Sequence, residues 1–472
     1  MKNFFLLILL IISINISSDE LPELGSSFDS LINSGDIKRI KFQIMQQVLA
    51  SNTVIRDVEV NDYLYSLGKT LKNSTQEKPD LSFFILDDNS INAFAMLGNI
   101  IGVHSGLIFA ANTESELASV LAHEIAHITQ KHLLRLFDSQ SKNSYKTYLA
   151  IAVAILAARS NPQLAQGAMS AASASQVQNT LDYTRSNERE ADRIGLQILD
   201  KAGFDPKGFI DFFSTLDKFN NFSSGSAPSF LRTHPVNIER ISDIQDRLKT
   251  YKYIQKENKL EFYLAKAKLI SLIGNNDENI TKFLNEIKTK RFINETATYY
   301  GLAYSYLRKN LIQEARNTFN ISNLSKIATP MIIELEANIL IKEKKYEEAF
   351  KLYKKGINIY PYYRAFIFGI SNLLINANKT NNAIDLLESY LLYIKSDPHL
   401  YQLLAKANNL QENFLLEHEN LSDAYYYQYD IQNAIIQMDL AVKTNSDNFY
   451  DQSRVEHRLK ELKKEAELMN IQ

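Results

Sequence analysis

The chain contains no cysteine among its 472 residues, and this absence excludes several kinds of chemistry. It has no disulfide, no thiolate metal ligand and no cysteine for lipid attachment. Neither sign of charge dominates, because 52 lysine and arginine residues face 54 acidic residues and leave a formal net charge of -2. The composition therefore gives no support to a dominant role in nucleic-acid binding, and any charged partner must be recognised by a local patch.

Long hydrophobic runs are also scarce. Residues 1–18 place one lysine before a short apolar run and then small polar residues, the order of a secretory signal peptide with cleavage near residue 18. The run is shorter than the roughly 20 residues that a membrane-spanning helix needs, and an uncleaved anchor is the alternative. We therefore predict an exported protein.

The chain does have ample material for buried cores. Its hydrophobic fraction is 45%, with 25 tyrosines and 25 phenylalanines, which argues against global disorder. A chain of this length exceeds what one ordinary core holds. We therefore predict a folded protein of at least two modules.

The first module combines helices with a few strands. Residues 21–74 have the spacing of amphipathic helices. Residues 81–111 are rich in phenylalanine, isoleucine and valine and are broken by glycines, which predicts two or three short strands. Thr113 and Glu116 have the spacing of a capping box, and they open a long predicted helix over residues 114–137.

Beyond residue 250 the strand-like segments give way to helical patterns with an internal repeat. Three series of residues keep a step of 34 positions: Ala303, Ala337, Ser371 and Ala405; Ala315, Ala349 and Ala383; and Phe319, Tyr353 and Leu387. This period resembles tetratricopeptide repeats, in which paired helices stack into a solenoid; an irregular helical bundle is the alternative. The register fails after Ala405, which predicts an irregular insertion or a capping pair there.

The sequence His123-Glu124-Ile125-Ala126-His127 carries the H-E-x-x-H pattern on the long predicted helix. Residues four apart share a helix face, so both imidazoles can bind one ion while Glu124 reaches a water on it. Zn²⁺ lowers the pKa of such a water to about 7, and the glutamate takes its proton during attack on a peptide carbonyl. The pattern predicts one Zn²⁺ per chain, with Glu124 as the catalytic base. Two packed histidines on a helix face are the alternative.

A catalytic zinc needs three protein ligands and an open position. Glu188 and Asp192 lie four apart on the next predicted helix and share one face. We predict that Glu188 is the third ligand and that Asp192 assists catalysis by orienting a ligand histidine, His127, through its other ring nitrogen. Glu190 lies on the opposite side of this helix and is predicted to be a solvated charge. His132 falls five residues after His127, so a continuous helix would point it away from the metal.

Together these patterns predict an α+β fold. Residues 19–250 form a mostly helical zincin-type metallopeptidase domain with a small sheet, and residues 251–472 form an all-α tetratricopeptide-like solenoid. His399, His418 and His457 lie among the repeats and show no paired ligand spacing.

The chain resembles the gluzincin peptidases that include the CAAX prenyl endopeptidases. Four segments together carry this resemblance: HEIAH, NEREADRIG, NAFAMLGNIIGVHSGLI and THPVNIER. With an export signal in front and repeats behind, the resemblance narrows to periplasmic β-barrel assembly-enhancing proteases, the BepA type. It is strong over residues 21–250 and only architectural over the repeats. It implies a zinc metalloendopeptidase in the periplasm.

The resemblance also implies roles for individual residues. The family's third zinc ligand and its companion aspartate fall on Glu188 and Asp192. His234, in the T-H-P motif, lies on a loop that can approach the metal. It is either a regulatory fourth ligand that keeps the enzyme latent or a residue that only shapes the pocket or contacts the transition state. Arg240 matches the family's motif arginine, which implies support of the pocket.

One segment resembles the family's active-site edge strand. Asn92, Ala93 and Phe94 match the strand to which a substrate adds through backbone hydrogen bonds, so they are implied to line the substrate cleft. The following residues 96–99 depart from the family's usual Leu-Pro-Gly-Gly, which leaves the turn geometry open.

The resemblance implies that the clients are unfolded or misassembled outer-membrane proteins, which the protease degrades or helps to assemble. The repeat domain is implied to dock these clients or the outer-membrane assembly machinery. An assembly chaperone or adaptor with a latent or structural metal site is the alternative function, although an intact Glu124 argues against it. A membrane-embedded prenyl-protein peptidase would need several spans, which the sequence lacks.

The apolar run at residues 148–158 contains 11 residues and is too short to cross a bilayer. We predict that it forms a buried helix or a flap beside the active site. Peripheral contact with a membrane surface is the alternative.

Overall fold

The computed structural model describes residues 34–138, 185–222, 229–251, 256–444 and 446–469. The predicted signal peptide and the apolar run at residues 148–158 lie outside these ranges. The described chain is mostly helical with a small three-stranded sheet, which confirms the predicted α+β class. Within these ranges, no helix combines the length and the apolar character that crossing a membrane requires.

One face of the sheet packs against the second helix and the motif-bearing helix, and the other face packs against the first helix. Helices α1 (Ser34–Ala50) and α2 (Val58–Lys72) precede strands β1 (Ser82–Leu86), β2 (Ala93–Met96) and β3 (Ile100–His104). The strand order is β1-β3-β2, with β1 parallel and β2 antiparallel to β3. β2 is therefore an edge strand, as predicted.

The hairpin between β2 and β3 turns on two residues with positive φ. Gly98 has φ +82° and Asn99 has φ +59°, a region that glycine and asparagine adopt more readily than other residues. A Cβ on Gly98 would lie 2.7 Å from the Cβ of Lys41, so only glycine fits against α1. The segment that departs from the family pattern thus still forms a tight turn.

Three helices follow the sheet: α3 (Ser105–Ala110), α4 (Glu114–Thr129) and α5 (His132–Asp138). Thr113 caps α4, because its hydroxyl oxygen accepts a hydrogen bond from the backbone N–H of Glu116 at 3.1 Å. This is the cap that the sequence predicts.

The motif helix ends earlier than predicted. α4 stops at Thr129, Lys131 has a left-handed φ of +53°, and α5 starts anew at His132. A residue in this conformation cannot continue a right-handed helix. The prediction of one continuous helix over residues 114–137 is therefore wrong, and the position expected for His132 changes with it.

Four further helices are seen in the described part of the N-terminal region: α6 (Arg185–Lys201), α7 (Gly208–Phe222), α8 (Ser229–Thr233) and α9 (Ile238–Leu248). α6 packs along α4 at close range. A Cβ on Gly195 would lie only 3.3 Å from the Cα of His123, so a larger residue there would push α6 away from the motif.

The described C-terminal region contains six consecutive helix pairs. The first helices are α10 (Leu260–Leu272), α12 (Glu295–Arg308), α14 (Pro330–Lys342), α16 (Arg364–Asn376), α18 (Pro398–Leu410) and α20 (Ile431–Lys443). The second helices are α11 (Asn276–Thr289), α13 (Ile312–Ile321), α15 (Tyr346–Ile359), α17 (Thr380–Leu391), α19 (Phe414–Tyr427) and α21 (Phe449–Leu468). A short 3-10 helix, Leu324–Lys326, precedes α14.

The helix pairs follow the predicted period. Their first helices begin 33 to 35 residues apart over the whole region. All repeat positions named from the sequence are buried in the contacts between helices. The prediction for the region after Ala405 is an irregular insertion or a capping pair. The pairs continue there without an inserted segment, so the predicted insertion is wrong, and the array closes with the 20-residue helix α21. The predicted solenoid is confirmed.

Both ends of the solenoid contact the N-terminal region. Near the first pairs, Lys268 of α10 is buried and pairs with Asp57 at 2.8 Å and with Glu59 of α2. At the other end, Phe42 of α1 packs against the ring of Tyr429 at 5.3 Å. The same small cluster includes three residues from the last pair and the tail: Ile431, Ala466 and Met469.

Candidate metal centre

Two imidazoles from α4 and one carboxylate from α6 meet in a buried space. His123 Nε2 and His127 Nε2 are 3.1 Å apart, as four-residue spacing on a helix allows. Glu188 places one carboxylate oxygen 3.4 Å from His123 Nε2 and the other 3.5 Å from His127 Nε2. Each of the three residues is at most 2% exposed. The structure thus brings the three predicted ligands together.

His234 completes this group from the loop after α8. Its Nδ1 lies 3.4 Å from His123 Nε2 and 3.2 Å from Glu188 Oε1. Ligand atoms of the four residues all lie within 4.8 Å of one another. The ring is 1% exposed, so it faces the group and not solvent.

The spacing of these atoms fits a small tetrahedral cation. Zinc bonds of about 2.0–2.1 Å place the four ligand atoms of a tetrahedron roughly 3.3–3.4 Å apart. With Oε1 as the Glu188 ligand atom, four pairs among these four atoms are separated by 3.1 to 3.5 Å. Imidazole nitrogen and carboxylate oxygen are also donors that suit zinc. The residues present therefore fit a zinc ion.

Contacts at the start of the edge strand hold His234 in place. The backbone N–H of Phe230 donates to the carbonyl of Ile91 at 3.0 Å, and the Ser229 hydroxyl donates to the same oxygen at 3.0 Å. The His234 N–H in turn donates to the carbonyl of Phe230 at 2.7 Å, and the two rings lie 4.8 Å apart. α8 is thus docked beside β2 and carries His234 into the group.

Glu124 lies between the edge strand and His234. One oxygen, Oε2, accepts a hydrogen bond from the backbone N–H of Ala95 at 2.9 Å. The other, Oε1, lies 3.4 Å from His234 Nε2. Burial raises the pKa of the Glu124 carboxyl, partly opposed by His234 and His123. A carboxylate with a raised pKa is a better proton acceptor, as a catalytic base requires.

Asp192 contacts a different histidine from the one predicted. Its Oδ1 lies 3.0 Å from Nδ1 of His123, so the prediction that it orients His127 is wrong. The reason is the path of α6 along α4: Gly195 meets the backbone of His123, and this places Asp192, one turn earlier, beside the same residue.

Arg240 of α9 connects both acids of α6. Its Nε and Nη2 donate to the two oxygens of Asp192 at 2.7 and 2.8 Å. Its Nη1 lies 2.9 Å from Glu188 Oε2 and also donates to the carbonyl of Pro235 at 2.8 Å. Despite burial, Arg240 holds the pKa of Asp192 below its usual value. The predicted support of the pocket thus takes the form of a buried guanidinium between two carboxylates.

The two predicted ligand histidines differ in their electrostatic surroundings. Against the effect of burial, Asp192 and Glu188 raise the pKa of His123 to about 9. Burial instead lowers the pKa of His127 well below its ordinary value. An imidazole must lose its proton from the nitrogen that binds a metal. A cation at this site therefore competes with a proton mainly at His123.

Two residues for which the sequence predicts no role at the metal lie directly behind His127. His132 Nδ1 is 2.7 Å from His127 Nδ1, and His132 Nε2 is 3.1 Å from Glu190 Oε2. Glu190 also pairs with Arg135 at 2.9 Å. The predictions that His132 points away and that Glu190 is only solvated are wrong, because the break at Lys131 turns His132 back toward α4. Burial lowers the pKa of His132 to about 4.

The predicted cleft residues lie on or beside the edge strand. Backbone groups of successive residues in a strand point alternately to either side. Because the N–H of Ala95 points to Glu124, away from β3, the backbone of Ala93 faces the same free edge and that of Phe94 faces β3. Asn92 is buried, and its carbonyl accepts a hydrogen bond from the backbone N–H of His104 at 3.0 Å.

The remaining candidates of the N-terminal region take no part in this group. His104 contacts the Ser90 hydroxyl at 2.7 Å and packs edge-on to the ring of Phe94 at 5.8 Å. Arg189 pairs with Glu239 at the surface.

Comparison with known proteins agrees with this geometry. The profile of Peptidase family M48 matches residues 61–248, and that of the tetratricopeptide repeat matches residues 340–407. The chain is 30% identical to the beta-barrel assembly-enhancing protease of Escherichia coli O157:H7, over 84% of this chain and 82% of the relative. Its namesake from Yersinia pestis is 28% identical over 84% and 82%. The mitochondrial metalloendopeptidase OMA1 of Schizosaccharomyces pombe is 29% identical over 35% and 45%.

The fold and the buried group of histidines and glutamate define a metalloprotease joined to a tetratricopeptide-like solenoid. The chain belongs to the family of beta-barrel assembly-enhancing proteases within peptidase family M48.

Proposed function

We propose that this metalloprotease is a zinc-dependent endopeptidase of the periplasm that degrades misassembled outer-membrane β-barrel proteins and assists the assembly of others. The observation that carries the catalytic part is the near-tetrahedral group of His123, His127, Glu188 and His234 beside Glu124. The names of the relatives support the client class, and the signal-like residues 1–18 support export.

His123, His127 and Glu188 would hold the zinc, and bound zinc supplies a Lewis acid that polarises a peptide carbonyl and acidifies a water. Glu124 is the base in this proposal. Its Oε2 is fixed by Ala95, which leaves Oε1 to accept a proton and pass it to the departing amine. Asp192 and Arg240 keep His123 and Glu188 oriented.

The free edge of β2 is the proposed substrate site. An extended, unfolded client can add to an edge strand through main-chain hydrogen bonds, which requires no particular sequence. Ala93 offers its backbone groups on that edge, close to the Ala95 contact with Glu124. An unfolded barrel strand is a substrate of this kind, whereas a folded barrel has no free strand to offer.

His234 keeps the site latent in this proposal. A catalytic zinc retains an open position, whereas a site with four protein ligands is closed. His234 occupies the fourth corner and also lies against Glu124. Cleavage therefore requires that the loop after α8 withdraw from the group.

The test compares cleavage of an unfolded protein by the purified chain, by Glu124→Gln and by His234→Ala, with zinc content measured for each. We expect Glu124→Gln to retain zinc and lose cleavage. Loss of zinc binding by the unmodified chain, or equal cleavage by Glu124→Gln, would overturn the proposal.

A second function, an assembly chaperone or adaptor with a latent metal site, is favoured by one observation. All four members of the metal group are buried, so the described structure is closed to substrate. This function predicts no cleavage even after His234→Ala, together with undiminished protection of an unfolded β-barrel protein from aggregation by Glu124→Gln.

A further inference from the structure

A chain of hydrogen bonds runs from His127 through His132 to Glu190. The two imidazoles approach through their Nδ1 atoms at 2.7 Å, and the far nitrogen of His132 lies 3.1 Å from Glu190 Oε2. Arg135 pairs with the same glutamate oxygen at 2.9 Å. His127 and His132 are both buried, so solvent does not compete for the contact between their imidazoles, whereas Glu190 is 30% exposed.

The proton positions in this series of hydrogen bonds follow from the metal site. If His127 binds zinc through Nε2, which faces His123, its Nδ1 must carry the proton. His132 Nδ1 must then accept that proton in a hydrogen bond, so the single proton of a neutral His132 is on Nε2. That N–H points at Glu190, which accepts it as a carboxylate. Each donor meets one acceptor, and only one tautomer of each imidazole allows both hydrogen bonds to form.

From this geometry we infer that His132, held by Glu190, is a positioning residue that fixes the ring and the tautomer of His127 for zinc binding. The inference rests on the proposed zinc site. It gives each ligand histidine its own support: Asp192 contacts Nδ1 of His123 directly, whereas His127 reaches a carboxylate through a second imidazole. Partners that orient a ligand imidazole typically contribute 10- to 100-fold in metal affinity, or roughly that in activity.

The break between α4 and α5 makes this support possible. A continuous helix would carry His132 to the side of α4 remote from the group. The left-handed residue Lys131 ends α4 instead and folds the next residue back against it. α6 supplies the other end of the chain, because Glu190 lies two residues after Glu188 and reaches behind His127.

The test substitutes His132 with leucine and with glutamine. Leucine fills a similar volume but neither accepts nor donates a hydrogen bond, whereas glutamine can accept from His127 through its oxygen and donate to Glu190 through its nitrogen. We expect His132→Leu to weaken zinc binding by about 10- to 100-fold and His132→Gln to restore most of it. Zinc affinity is measured on the full chain by competition with a chelator of known strength.

A packing role would give a different pattern. The melting temperature in excess chelator reports folding separately from zinc binding. His104→Leu is the matched control, since His104 is also buried in this domain but contacts Ser90 and not the metal group. We expect His104→Leu to leave zinc affinity unchanged. Unchanged affinity in His132→Leu, or a loss that glutamine does not restore, overturns the inference. Absence of zinc binding by the unmodified chain would instead overturn the proposed zinc site.

Discussion

The backbone N–H of Ala95 donates to the carboxylate of Glu124, so the edge strand and the proposed base share one hydrogen bond of 2.9 Å. The strand that would hold a substrate thereby also orients the group that would take the proton. This contact leaves one carboxylate oxygen of Glu124 for chemistry. The contact also takes up the backbone N–H of Ala95, which could otherwise hydrogen-bond to an added strand.

Removal of this contact should slow cleavage without unfolding the protein. Proline at position 95 has no N–H, and proline is tolerated on the outward side of an edge strand. We expect Ala95→Pro to lower kcat about 10-fold or more, as misorientation of a catalytic group does. Steady-state kinetics on an unfolded substrate measure the loss, and circular dichroism checks the fold. Unaltered kcat in a folded variant would contradict a role for this bond.

Release of the fourth ligand should activate the enzyme. In the proposed latency His234 closes the fourth position at the metal and His234→Ala opens it, so we expect cleavage to rise by about tenfold or more, equivalent to a closed state favoured by about 1.4 kcal/mol. Initial rates at equal zinc occupancy provide the measurement. A fall in rate would show that His234 contributes to the reaction and does not restrain it.

Loss of the aspartate behind His123 should weaken metal binding. Asp192→Asn keeps the size of the side chain but removes the charge that pairs with Arg240, and we expect a loss of about 10- to 100-fold in zinc affinity. Chelator competition measures it. The same substitution at Asp200, near the other end of α6, is the control and should have no such effect.

A buried acid in the solenoid should make stability depend on pH. Glu334 accepts hydrogen bonds from Asn338 at 2.9 Å and from Tyr353 at 3.2 Å, and burial raises its pKa to about 8. The folded chain therefore keeps a proton that the unfolded chain loses near pH 4.5. The stabilisation present at low pH is lost as the pH rises through about 8.

Glutamine at position 334 cannot ionise and should remove this dependence. From pH 5 to pH 9, we expect the free energy of unfolding of Glu334→Gln to rise relative to that of the unmodified chain by more than about 1 kcal/mol. Urea unfolding at the two pH values measures it. A difference that does not change with pH would contradict a protonated Glu334.

The contact between α10 and α2 should be important for stability. Lys268 is the buried cation that faces Asp57 and Glu59, and its replacement by methionine leaves two acids without their partner. Breaking a buried pair in this way costs about 3–5 kcal/mol. Lys309→Met, at an exposed pair with Asp277, is the matched control and should cost about 1 kcal/mol or less. Similar losses in both variants, by thermal unfolding, would contradict this contribution.

The sequence predicted those features that depend on local spacing. The four-residue steps between His123 and His127 and between Glu188 and Asp192 place side chains on one helix face, and the 34-residue repeat gave the solenoid. The cap at Thr113 also follows from local rules. Each of these relationships is set within one helix or by the repetition of one unit.

The errors concern relationships between elements. Assigning Asp192 to His127 required the path of α6 along α4, which Gly195 sets and no residue pattern states. The prediction for His132 is wrong because one left-handed residue, Lys131, ends α4, and Glu190 contacts the metal group only through the redirected His132. Lysine has no special preference for that conformation, so the sequence contains no strong signal for the break.

The solenoid contacts the N-terminal region at several places: at Lys268 of the first pair, at Arg364 of α16, which pairs with Asp62 of α2 at 2.7 Å, and at the cluster around Phe42 near its end. A solenoid that is attached at several points cannot change its curvature without straining at least one of these contacts. A change in the curvature of the repeats would therefore strain the contacts with α1 and α2, and α2 packs directly on the helix of the metal group. The repeats and the metal group are thus connected through directly packed helices.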